Sequence, residues 1–133
     1  MFLRKRGLCS LILLFINVSC TKVMLDNDFH RNLKEREEVI RMVKNGEFEI
    51  KAKLNIIQLP ERYRHISRGG GVIMVEKYED GIGVFFFTFR GILDNFSGFI
   101  YRDDNACPDS TDFSGDFKQV ERICEGWFWA ASY

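Results

Sequence analysis

Apolar positions along this chain change period twice. Between residues 28 and 45, Phe29, Leu33, Ile40 and Val43 recur at near-helical spacing, with Arg36 interrupting the stripe. Asn27 or Asp28 can cap that segment and Gly46 can end it. The pattern predicts a helix from about Asp28 to Asn45 that covers a core from one side. Glu37 and Arg41 lie four apart on its wet side and can pair weakly. From Phe48 the period falls to two. Phe48, Ile50, Ala52, Leu54 and Ile56 alternate with Glu49, Lys51, Lys53 and Asn55, as in a half-buried strand. Pro60 opens a short helical turn to Ile66, with Leu59, Tyr63 and Ile66 facing inward. Ser67 to Gly71 breaks it.

Strands follow. Val72–Tyr78 and Ile82–Arg90 flank Glu79-Asp80-Gly81, and Asp-Gly is a strong hairpin signal. Val84-Phe85-Phe86-Phe87 is apolar on both faces, so this strand is expected at the centre of a sheet covered on both sides. Gly91 to Ser97 turns the chain into a strand from Gly98 to Arg102. A polar loop spans Asp103 to Asp116. Phe117–Cys124 and Trp127–Tyr133 read as a last hairpin, turning at Glu125-Gly126. The expected fold class is α+β, with an N-terminal helix packed on an antiparallel sheet of five or six strands.

The first twenty residues carry a different signal. Arg4-Lys5-Arg6 precede a mainly apolar run from Gly7 to Val18, followed by Ser19-Cys20. Cations, a short apolar stretch and a small residue are the three parts of an export signal. The run is shorter than the ~20 apolar residues that a permanent span needs. The end of the segment resembles the lipobox of bacterial lipoproteins. In that class a small residue precedes a cysteine that is lipidated and becomes the mature N-terminus. Ser19-Cys20 matches the last two positions, Val18 is tolerated before them, and Asn17 departs from the usual Leu. The resemblance implies lipid attachment at Cys20, an extracytoplasmic location and a membrane partner reached through the anchor; ordinary cleavage and a secreted or periplasmic protein is the alternative. The division expected is an export signal over residues 1–19, a tether over 20–27 and one globular domain over 28–133.

Removing that signal changes the charge. Three cations leave with it, so 16 Lys and Arg remain against 19 Asp and Glu. The net charge of −3 that results gives no support for nucleic-acid binding. In an oxidising compartment Cys107 and Cys124 are expected to pair. Such a bridge closes a loop of about 17 residues and contributes roughly 3 kcal/mol in the chain-entropy account. No Cys-x-x-Cys or His cluster marks a zinc site, and no cofactor motif occurs.

Candidate chemistry is thin. Gly69-Gly70-Gly71 precedes a strand and lacks the lysine of a phosphate loop, so it reads as a connector. The Asp103–Asp116 loop is rich in oxygen ligands, but its spacing fits no calcium loop. His30 and His65 are the available bases near neutral pH, with no nucleophile motif beside them. Arg90 and Asp94 flank a turn; a pinning salt bridge is the plainer reading and a ligand-gripping arginine the sharper one. Trp127 and Trp129 share one face of a strand, either as core or as an exposed face for a glycan or peptide. The functional expectation is a small exported envelope domain that binds an envelope protein or glycan without catalysis. A small secreted hydrolase or inhibitor-like domain is the alternative.

Overall fold

A computed structural model describes residues 20–92 and 95–133, and the side chains from Met24 onward. The segment expected as an export signal, residues 1–19, and Asp94 lie outside the described residues. Helix α1 (Cys20–Lys44) packs on a six-stranded antiparallel sheet, as the α+β expectation required. The strands are β1 (Leu54–Gln58), β2 (Val72–Tyr78), β3 (Gly81–Arg90), β4 (Phe96–Arg102), β5 (Gln119–Cys124) and β6 (Trp127–Ala131), in the order β1-β2-β3-β4-β6-β5. A short 3-10 helix (Glu61–Ile66) bridges β1 and β2 and buries Tyr63 and Ile66.

Two departures from the sequence pattern have local causes. Residues 20–27 already belong to the helix, so the segment expected as a tether is helical. Asp28 does not cap a new helix; its carboxylate accepts from Asn32, one turn on. At the other end Gly46, at φ +79°, closes the helix: its N–H donates to Val43 O, and the Glu47 N–H donates to Met42 O. This left-handed cap needs a residue without a Cβ. The second departure is the strand expected from Phe48, which forms only from Leu54. The Asn55 side chain accepts from the N–H groups of Lys51 and Ala52 at 3.0 and 2.9 Å and donates back to Ala52 O at 2.7 Å. That side-chain turn competes with ladder bonds and wins. Phe48 and Ile50 still pack against the core beneath α1.

The sheet is covered on both faces, which explains the unbroken apolar run in β3. On one side Ile73, Val75, Val84, Phe86, Phe99 and Trp127 meet Phe29, Val39, Ile40 and Val43 of α1. On the other, Met74, Phe85, Phe87, Ile100, Phe128 and Ala130 meet Phe113 and Phe117. The connection from β4 to β5 thus carries the two aromatics that cover the second face: Phe113 from the loop read as polar, and Phe117, expected in the last hairpin but lying before β5. Phe117 lies parallel to Phe85 with ring centroids 5.9 Å apart. β3 and β4 approach closely at Gly98, where an added Cβ would collide with Phe86 O and the Phe85 ring.

The two-sided core decides the cysteines. The expected Cys107–Cys124 bridge is not formed: Cys124 is a free, exposed thiol. A bulge between Arg122 and Cys124 sets Cys124 opposite Trp127, within the field of Glu37 on α1. Cys107 packs against the opposite cluster. Cys107 is itself disulfide-bonded, so its sulfur is not open to Cys124.

Candidate functional site

Antiparallel order sorts the loops to two ends. β3 finishes at Arg90, where β4 begins at Phe96 and β6 finishes beside Ser97. The turn of Arg68 and Gly69 lies at this same end, because the Arg68 N–H donates to Phe87 O at 2.8 Å. Helix α1 begins here too. Between its first turns and the end of β3 lies a groove of about 520 Å³, with Met24, Leu25, Asp28, Arg68, Phe89 and Arg90 in its lining. The Arg90 guanidinium sits 5.1 Å over the Phe87 ring and donates to Gly69 O at 3.5 Å. Gly69, at φ +81°, lets the arginine stem lie against the turn: a Cβ there would fall 2.8 Å from Arg90 Cδ.

Behind Asp28 stands Arg36, 1% exposed, the largest fully buried side chain among the described residues. Its Nε donates to Ile66 O at 3.1 Å, and Nη2 donates to Asp28 Oδ1 at 3.3 Å. The guanidinium carbon lies 4.8 Å from the Phe99 ring centroid. Burial pulls this guanidinium below its ordinary pKa, against the opposing charge of Asp28. Arg36 therefore does not interrupt the apolar stripe; it fills the stripe position between Leu33 and Ile40.

A second polar cluster holds the far end of the second face. Arg102 donates to both oxygens of Asp104, at 3.0 and 2.7 Å, and to Asp112 at 2.7 Å, while stacking 3.9 Å from the Tyr78 ring centroid. Glu76 accepts from the Tyr78 hydroxyl and from the Phe113 N–H. Burial raises Tyr78 far above the usual phenol range, so it stays a donor. Burial also raises Asp112. For Asp104 burial works the same way, but the bonds from Arg102 and the Ala106 N–H outweigh it and hold the carboxyl below its ordinary value. Asp103 is held down likewise: burial is overcome by Lys44, the Ile82 N–H and Tyr101. Lys44 meets Asp103 at 2.6 Å, tying the end of α1 to the loop after β4.

The expected site residues fall in different places. Arg90 lines the groove; Asp94, its expected partner, lies outside the described residues, as does the side chain of Cys20. Trp127 is 4% exposed, packed between Phe29 and Phe86. Trp129 is half-buried against the same cluster, its indole N–H aimed at Thr88 Oγ1 at 3.4 Å. Of the two readings, Trp127 takes the core one, under α1, and Trp129 packs half-buried at the margin of the same cluster. His65 pairs with Glu35 at 2.8 Å on the surface, and His30 lies edge-on to Phe29. Neither lines the groove. Burial pushes the Cys124 thiol above its ordinary value; Arg122 opposes the rise, and Glu37 and Glu125 add to it.

Sequence reasoning missed the Asp28–Arg36 pair and the Arg102 cluster. The first had a signal, since an arginine at an apolar stripe position with a carboxylate two turns earlier is a buried-pair pattern. The second had none: Glu76 and Tyr78 on β2, Arg102 at the end of β4, and Asp104 and Asp112 beyond it are brought together only by the fold. Among the described residues no three or more His, Cys, Asp and Glu gather as a metal site. In comparison with known proteins, no family model, curated protein or solved structure matches the chain.

Proposed function

We propose that the chain is an exported, lipid-anchored domain of the cell envelope that binds another envelope component rather than catalysing a reaction. The observation that carries this reading is the path of α1. It runs without a break from Cys20, the lipid-attachment residue expected from the lipoprotein resemblance, to Lys44, and there it is tied to Asp103 at the far end of the sheet. An anchor at Cys20 would therefore hold the whole domain by one end and leave the other end free for a protein or glycan partner. Two groups that could serve chemistry are engaged within the fold: His65 lies 2.8 Å from Glu35, and Arg102 is bound to Asp104 and Asp112.

The test is mass spectrometry of the N-terminus in protein taken from the envelope, joined to photocrosslinking from residue 80 in the β2–β3 turn. An acylated Cys20 and one reproducible crosslinked species support the reading. An unmodified Thr21 terminus sinks the anchor. Hydrolysis of ester or peptide substrates that is lost in His65→Ala would instead establish the hydrolase.

A further inference from the structure

We infer that the end of the domain around the start of α1 lies against an anionic phospholipid surface, with apolar side chains inserted and Arg68 and Arg90 facing lipid phosphates. The inference rests on the proposed anchor at Cys20. Five large apolar side chains are exposed among the described residues, and four belong to this end: Met24 at 70%, Phe89 at 48%, Ile92 at 83% and Tyr133 at 50%. The fifth, Ile56, lies on the edge strand β1. Phe89 and Tyr133 touch edge to face, so they form part of one patch. Met24 and Phe89 line the same groove, and Ile92 follows in the turn closed by the Gly91 N–H on Asn95 O.

Distance selects the occupant. Met24 is one helical turn from Cys20, about 6 Å along the axis at the ordinary helical rise. Whatever lipid holds Cys20 therefore brings this patch to the depth of the headgroups. Charge selects the lipid. Arg68 and Arg90 are exposed at the groove, and among the described residues neither has a carboxylate partner. The turns at the opposite end carry Glu79 and Asp80, Asp103 and Asp104, and Glu125. Asp28 in the same lining is taken up by Arg36, so a negatively charged surface attracts the two guanidiniums of the first end and repels the carboxylates of the second. Acyl anchoring is marginal with one signal and stable with two, and apolar side chains joined to guanidinium groups are a suitable second signal.

The test is hydroxyl-radical footprinting of the protein taken from the envelope and reconstituted into phosphatidylcholine vesicles with and without phosphatidylglycerol, with flotation of the same samples. Expected is severalfold protection of Met24, Phe89 and Ile92 relative to Ile56 in the vesicles containing phosphatidylglycerol. The double variant Arg68→Gln/Arg90→Gln should lose most of that protection yet still float, since both side chains are on the surface. Flotation with equal modification of the patch and Ile56 overturns this inference and leaves the anchor standing. Failure to float overturns the anchor reading and this inference with it. Equal protection on neutral vesicles refutes the anionic preference. Protection that grows with protein concentration in the absence of vesicles assigns the patch to a second copy of the chain and overturns the inference.

Discussion

Replacing Asp28 by alanine should destabilise the protein far more than replacing Arg36 by methionine. Asp28→Ala leaves a guanidinium buried at 1% exposure without its carboxylate. Breaking a buried pair from one side costs about 3–5 kcal/mol. Here Ile66 O and the backbone oxygen of residue 28 remain as acceptors, so the low end, about 3 kcal/mol, is expected. Arg36→Met removes the charge itself. Ile66 O then loses its donor, a loss of roughly 1–3 kcal/mol. Asp28 keeps Asn32 and stays 21% exposed at its side chain, so water can take the place of the arginine. Against these losses, an apolar residue of similar volume between Phe86 and Phe99 recovers about 1–4 kcal/mol of desolvation. The net change for Arg36→Met is expected within about 1 kcal/mol of zero. The double variant should resemble Arg36→Met alone, a coupling of about 2–3 kcal/mol. Urea titrations with unchanged slope provide the measurement. Equal losses in the two single variants that simply add in the double would refute the reasoning.

Phe86→Ala should cost about 3–5 kcal/mol, and Trp127→Ala should match it because both rings fill the core under α1; a Trp127 variant of unchanged thermal midpoint would return that indole to the surface. Gly98→Ala should lower stability by roughly 1–3 kcal/mol, read from the urea midpoint, since its methyl collides with Phe86 O and the Phe85 ring. Asp103 and Asp104 have folded pKa values below their unfolded ones, so their contribution is present above about pH 4 and is lost as pH falls through the folded values; the urea midpoint should drop in that window and Asp104→Asn should flatten the drop.

The layers of this fold were legible because burial imposes a period on the chain. Phe29, Leu33, Ile40 and Val43 placed α1, and the Val84–Phe87 run placed a central strand with cover on both faces. The second cover was missed because Phe113 is an isolated apolar residue in the loop read as polar, which has no period, and because Phe117 was placed in the last hairpin, whose strand begins only at Gln119. The Cys107–Cys124 pairing failed for a related reason. One bulge in β5 moves Cys124 to the helix side of the sheet, and no composition rule forecasts a bulge. The start of α1 was set too late because Asp28 resembles a cap, whereas its carboxylate is drawn to Arg36 two turns on.

The charge distribution shows how topology converts a vague sequence signal into a directed one. Along the chain the cations and anions mix, and counting by halves yields only an acidic second half. In an antiparallel sheet, successive turns fall at alternate ends. Glu79-Asp80 follows β2, Asp103-Asp104 follows β4 and Glu125 follows β5, and these three sites share the end where α1 finishes. Arg68 precedes β2 and Arg90 ends β3, and these share the end where α1 begins, together with Met24, Phe89 and Ile92. A hairpin assignment correct in order, even with ends misplaced by two residues, is enough to make that separation. An end-to-end asymmetry has a use only if something fixes the domain's direction, and a helix that runs from the expected anchor residue along the sheet would supply that direction.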